Sequence, residues 1–325
     1  MTTPARLRRL VEELGESGLD LGGPSPWREA VLDELDYALR PPVHERRVAS
    51  VGAVVEPTTE PPAWELETAL TITLRPLGEM PLVSARMFAD GLSSWLIRPV
   101  SGPCQWAIFD RPAGSERDLV VLADAMGATL VQRHPVGAVR IVGSFGVLRW
   151  DGLSWHHEPP ISSWLDTFSP ATCPAPGDAR VLEQLLEFAV HDLGARGIGA
   201  TLVYRPNGED GATDARSRYQ VRLPAPPPLQ ITRPSDLAPL RHVLAQVDGA
   251  AVLDGQGTLR QLGVRLVPSA DAEAGVEPFG GMRHTSGRRY SFDDPTATVI
   301  VVSDDGPVTV LRNGHVLGSS ARAFR

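Results

Sequence analysis

Lysine is missing altogether from this 325-residue chain, so its 31 Lys+Arg positions are all arginine. That excludes Schiff-base chemistry and a phosphate-binding loop ending in Gly-Lys-Ser/Thr, since each needs an amine. Any phosphate has to be met by guanidinium groups, backbone N–H groups or a metal. Cysteine is scarce as well. Cys104 and Cys173 stand far apart and outside any CxxC pattern, which argues against a disulfide framework or a cysteine-based zinc site and leaves two ordinary buried thiols. No apolar stretch approaches membrane-spanning length, and "MTTPARLRRLVEELGE" at the N-terminus is charged and helix-periodic where a signal peptide would be apolar, so a cytoplasmic location is expected. A net charge of −8 with no polybasic tail speaks against broad binding to nucleic acid or to an anionic membrane. An anion site, if there is one, must be local.

What is present is globular: 42% hydrophobic residues over a length that suits two cores. Residues 1–45 read as a helical segment, with Ser25-Pro26 as N-cap and first-turn residue of its second helix. Residues 46–168 mix β-branched runs such as "RVASVGAVV" and "ALTITL" with the helix-like "ERDLVVLADAMGA", an α+β accessory domain. Its end, "VRIVGSFGVLRWDGLSWH", reads as two strands about a turn at Asp151-Gly152, with Trp150 and Trp155 as packing residues. The stretch 169–178, "SPATCPAPGD", is too rich in proline for a helix interior or a central strand and reads as a linker.

From 179 to 318 helices alternate with buried strands. The helix "ARVLEQLLEFAVHDLGARG" leads into "GATLVYRP" and the polar loop "NGEDGATDARSR"; "SDLAPLRHVLAQV" follows, with Ser235 as its N-cap. The unbroken apolar run "ATVIVVS" suits a strand covered on both faces, and a hairpin turning at Asn313-Gly314 closes the series. The expected class is α/β, a mixed sheet flanked by helices.

One stretch carries unusual chemistry: "GGMRHTSGRR", 280–289, expected as a loop ahead of a strand. Alone it reads either as a cradle for a phosphate chain or as a solvated basic turn. Taken in order, however, "DGAAVLDGQGTL" from Asp248, "GVRLVP" from Gly263, "GGMRHTSG" from Gly280, "VIVVSDDGPVTV" from Val299 and "RNGHV" from Arg312 resemble the diadenylate cyclase domain, the nucleotide-binding domain of the DNA-integrity-scanning family and its membrane and archaeal relatives. The resemblance covers about residues 178–318, and the N-terminal half looks like the accessory, sensory domains attached to some of these modules.

That resemblance implies a nucleotidyltransferase that condenses two ATP molecules into the second messenger cyclic di-AMP, with Mg²⁺ or Mn²⁺ as cofactor. It also implies a homodimer or higher homo-oligomer, because each site holds one ATP and two must meet face to face. By position, Asp248, Gly249 and Ala250 match the Asp-Gly-Ala motif, whose carboxylate lies near the metal and the attacking 3′-hydroxyl. Arg283 and His284 match the first two residues of an Arg-His-Arg phosphate clamp, with Gly281, Thr285 and Ser286 around the nucleotide. Leu266 matches the leucine bordering adenine, and Ser303 and Asp304 match a Ser-Glu pair near phosphate and metal, at a strand's carboxyl end where open α/β sheets place ligands. Each has a plainer reading: an Asp-Gly turn, a surface arginine, a structural histidine, a core leucine.

The pattern also departs from the family. Met282 stands for the usual threonine, Thr285 for the third clamp arginine and Asp304 for glutamate. Those departures support a second hypothesis, a catalytically inactive nucleotide-binding sensor of the same fold. A third, a metal hydrolase built on His156, His157 and Glu158, has adjacent residues that face opposite ways on a strand. The chain ends soon after the cyclase-like region, so no helix-hairpin-helix DNA-binding domain is expected.

Overall fold

A computed structural model describes residues 5–44, 47–99, 101–167, 179–206, 219–220 and 223–320. The stretch 169–178, with Cys173, and the polar loop 207–218 lie outside these residues. The chain divides into two compact units, Met1–Pro160 and Ile161–Arg325.

In the first unit α1 (Ala5–Glu16) and α2 (Pro26–Leu39) precede a small ladder of β1 (Val43–His44) and β2 (Arg47–Val48). Then come β3 (Val51–Val55), α3 (Pro61–Thr68), β4 (Ile72–Pro76), α4 (Leu82–Ala85) with a 3₁₀ turn, β5 (Ser94–Arg98), β6 (Gln105–Phe109), α5 (Glu116–Met126), β7 (Thr129–Arg133), β8 (Val139–Gly143), β9 (Gly146–Trp150) and β10 (Trp155–Glu158). Eight strands form one sheet in the order β10-β9-β8-β7-β3-β5-β6-β4. Strand alternation sorts its two faces. Val51 and Val55 pack with Leu14, Val31 and Leu35 of the first two helices, while Val54 faces Trp64, Leu119 and Met126 of α3 and α5.

Ser25 caps α2 as expected, its hydroxyl accepting from the Arg28 N–H. The end of this unit differs from the two strands expected. There are three, because Ser144-Phe145 is itself a tight turn between β8 and β9, and the turn at Asp151 joins β9 to β10. Trp150 and Trp155 lie 5.4 Å apart between ring centroids, in packing roles. Cys104 is half-buried, not buried as expected, because it sits where β6 begins.

The second unit runs α6 (Ile161–Thr167), α7 (Ala179–Glu187), a π-helical turn Phe188–Leu193, a 3₁₀ turn Gly194–Arg196, β11 (Ala200–Arg205), β12 (Tyr219–Gln220), α8 (Pro234–Leu244), β13 (Ala250–Asp254), β14 (Leu259–Leu266), α9 (Ala270–Gly275), α10 (Met282–Asp293), β15 (Thr298–Val302), β16 (Val308–Arg312) and β17 (His315–Ser319). Its sheet has the order β12-β14-β13-β11-β15-β16-β17. Among the described strands of this sheet only β11 and β13 pair in parallel; β11 runs antiparallel to β15, and β13 to β14. The run "ATVIVVS" is buried along the whole of β15, because helices cover both faces. Leu185, Phe188 and Leu240 pack on Leu202 and Ile300, and Tyr290 packs on Val203, Val299 and Leu311.

Two local expectations change. Arg233, not Ser235, is the N-cap of α8, without a side-chain cap bond: Pro234 at the first helical position starts the helix two residues earlier, which places Ser235 inside its first turn. The helix after 179 is interrupted by a π turn, a feature that amphipathic spacing does not reveal.

Candidate functional site

The mixed pairing gathers the motif residues at one end of the second sheet. Ala250 of β13 pairs with Thr201 of β11 and with Val264 of β14, and Ala200, where β11 starts, pairs with Val302, where β15 finishes. Asp248 and Gly249 before β13, Gly199 before β11, Leu266 at the end of β14 and Ser303-Asp304 after β15 therefore share that end. The carboxyl-end rule holds for Leu266 and for Ser303-Asp304. Asp248 lies at the amino end of its strand and reaches the same place because β13 and β15 run in opposite directions.

The stretch from Met282 is helical, not the loop expected from the sequence, because the chain turns at Gly280, with φ of +59°, and enters α10 through Gly281 as N-cap. A side chain is absent from that cap, so the first-turn N–H groups and the positive end of the helix dipole are left for an anion. Arg283 in this turn donates to the Asp304 carboxylate at 2.7 Å, tying the helix start to the end of β15. A Cβ on Gly199 would fall 1.7 Å from Asp304 Oδ1 and 2.3 Å from Arg283 Nη1, so the pair, where it stands, occupies the place of a Cβ at 199.

His284 is half-buried, edge-on to Phe279 with ring centroids 5.9 Å apart. Burial lowers its pKa from the usual imidazole value; Asp305 opposes the shift and Arg283 reinforces it. The ring is accordingly neutral at pH 7, and Arg283 carries the positive charge of the turn.

The remaining candidates divide. Asp248 is exposed, and Ser303 begins a tight turn in which Gly306 N–H donates back to its carbonyl. Leu266 is buried among Val264, Tyr290 and Val299, and Ala250 is 2% exposed in the same cluster. Gly249, with φ of +104°, does permit a close approach, but to the neighbouring strand: a Cβ there would lie 2.8 Å from the carbonyl carbon of Gly263. Thr285 exchanges bonds of 3.2 Å with the backbone N–H and carbonyl of Phe279, and the Ser286 hydroxyl donates to the Arg283 carbonyl, so both hydroxyls serve the helix start. Arg288 and Arg289, the two further arginines of the same stretch, donate to the carbonyls of Gly314, Glu277 and Val276. Met282, 90% exposed, has no such tie.

Sequence reasoning missed Gly199. Its signal was a glycine directly before a fully buried strand in "GIGATLVYR", but the reason for it lies in side chains remote in sequence.

The residues of the hydrolase hypothesis are occupied elsewhere. His156 pairs with Asp151, His157 bonds the Phe145 carbonyl, and Glu158 is buried near Arg149. Among the described residues no group of three or more His, Cys, Asp or Glu could hold a metal ion, and no helix is long and apolar enough to cross a membrane.

Two family models match the chain. Residues 8–158 match the probable sensor domain DACNK, and residues 187–316 match the DisA bacterial checkpoint controller nucleotide-binding domain. No curated protein matches. Among solved structures, one titled the crystal structure of the hypothetical membrane spanning protein from Bacillus cereus is 20% identical, with a TM-score of 0.34 over 45% of this chain and 65% of that one, a likeness too slight to bear on the fold.

Proposed function

Because this chain belongs to the proteins in which a DACNK-type sensor domain precedes a DisA-type nucleotide-binding domain, we propose that it is a diadenylate cyclase under the control of its N-terminal unit. The observation that carries the reading is the gathering of Asp248, Leu266, Ser303-Asp304 and the uncapped start of α10 at one end of one sheet. In the reaction each ATP 3′-hydroxyl attacks the α-phosphorus of the other ATP. Two P–O bonds form, two bonds to pyrophosphate break, and cyclic di-AMP leaves with two pyrophosphates. No protein nucleophile is required, so position and charge suffice.

The reaction class implies a divalent cation, and the donors fit one. Two exposed carboxylates, Asp248 and Asp304, suit a hard ion such as Mg²⁺ or Mn²⁺ that takes its other ligands from water and substrate phosphates. When bound, the ion would offset charge developing on the phosphoryl oxygens. Asp248 would orient the attacking hydroxyl and accept its hydrogen bond. Arg283 would fork onto phosphate oxygens, with the free amides of α10 beside it and neutral His284 as a further hydrogen-bonding group. Leu266 would border the adenine. A face-to-face homodimer in which each protomer supplies one ATP completes the reading.

A second reading rests on Thr285, Arg288 and Arg289, all of which are engaged with backbone groups. A clamp one arginine short would hold nucleotide without turning it over, making the chain a nucleotide-binding sensor. One experiment separates the two. The protein and its Asp248→Asn variant are incubated with ATP and Mn²⁺ or Mg²⁺, and the products are identified by mass spectrometry. Cyclic di-AMP from the natural chain and none from the variant is expected; bound ATP without product from either would leave the sensor reading.

A further inference from the structure

The Arg283–Asp304 pair joins two groups whose charges the proposed chemistry would use on other partners. An arginine offset by a carboxylate offers less charge to phosphate, and a carboxylate engaged by a guanidinium is a poorer ligand for a cation, so the pair competes with both. Both side chains are substantially exposed, at 42% and 73%, so the pair is weak enough to exchange partners. Its geometry is nevertheless built in. Gly199 sits directly beneath it, and the pair occupies the space that any side chain at 199 would fill. The Asp304 side also rests on a shaped support. Gly194 faces the Gly306 carbonyl and Gly197 the Asp304 carbonyl, where added Cβ atoms would come within 2.6 and 2.9 Å, so the segment following the π turn packs closely against the turn that carries Asp304.

We propose that Arg283 and Asp304 form a latch seated on Gly199, in which the clamp arginine stays engaged until Asp304 turns to a divalent cation and so frees Arg283 for the triphosphate. The inference rests on the nucleotide-binding reading above and adds an order to it: Asp304 exchanges Arg283 for the metal, and only then does Arg283 take phosphate. Gly199 and Asp304 thereby act as positioning residues for Arg283.

The test is equilibrium binding, independent of turnover. Calorimetry of ATP with the full-length protein, first with EDTA and then with excess Mn²⁺, is compared for the natural chain, Asp304→Asn and Gly199→Ala. Gly199 does not have a positive φ, and the atoms nearest an added Cβ there belong to the movable ends of Arg283 and Asp304, so alanine displaces the pair and leaves both charges in place. Metal-free ATP should bind both variants more tightly than the natural chain, by up to about fivefold, the range expected for releasing one exposed ion pair. Mn²⁺ alone, followed by electron paramagnetic resonance, should bind Gly199→Ala more tightly and Asp304→Asn more weakly than the natural chain. Tightening of metal-free ATP in Asp304→Asn but not in Gly199→Ala would reduce the effect to a lost negative charge and overturn the latch. Equal metal-free affinity in all three proteins, with ATP bound, would overturn it while sparing the nucleotide-binding reading. No ATP binding by any of them, with or without Mn²⁺, would overturn both.

Discussion

Glu158 offers a test of the first unit that needs no ligand. It ends β10, is 6% exposed, and has one carboxylate oxygen, Oε1, buried without a hydrogen-bond partner. Arg149 is its nearest cation at 3.9 Å, but that guanidinium is already forked onto Glu116, with bonds of 2.5 Å from Nε and Nη2. Burial therefore dominates and raises the Glu158 carboxyl from 4.5 to about 7; Arg149 opposes the shift and Glu116 adds to it. The folded state thus holds a proton that the unfolded chain has released, and stability must fall as pH rises from the unfolded value through the folded one. A shift of about 2.5 units corresponds to roughly 3 kcal/mol, of which some 2–3 kcal/mol is lost between pH 5 and pH 8. Glu158→Gln keeps the shape and removes the titration. In guanidinium unfolding followed by the fluorescence of the Trp150–Trp155 pair, the variant should match the natural protein near pH 5 and exceed it increasingly toward pH 8. Parallel pH profiles for the two proteins would show that Glu158 is ionised in the fold at neutral pH, and the reasoning from burial would fail.

Two further substitutions probe the second unit. Gly249→Ala combines a φ of +104° with a 2.8 Å approach to Gly263 backbone, and should cost about 2–3 kcal/mol in denaturant unfolding; an unchanged midpoint would mean that the start of β13 relaxes freely. Thr285→Arg restores the third clamp residue at the expense of two 3.2 Å bonds to Phe279, and should tighten ATP binding in Mn²⁺ by about tenfold, the low end for one charge-assisted contact. Unchanged affinity in calorimetry would place position 285 out of reach of the phosphates.

What could be read from the sequence is what neighbouring residues decide among themselves. Ser25 and Asn313-Gly314 mark a cap and a turn by their own chemistry, and the run ending at Val302 announces its burial because β-branched apolar residues follow one another from Val299 without a break. The features that escaped are relations between distant segments. A run of apolar residues does not say which strand it pairs with, and here the pairing of β11 with both β13 and β15, one parallel and one antiparallel, decides where the site lies. A carboxyl-end rule applied strand by strand would separate Asp248 from Asp304; the mixed sheet brings their ends together. Helical spacing likewise could not show that α10 begins at Met282, because its first turn is built of Arg, His, Thr and Ser, whose pattern marks no buried face until Gly287, Tyr290 and Ser291 turn inward. Gly199 carries the same lesson one step further. Its local conformation is open to other residues, and what an added Cβ would meet first is two side chains that the fold delivers above it. For that reason Gly199→Ala can separate a motif that is merely present from one whose parts act on each other.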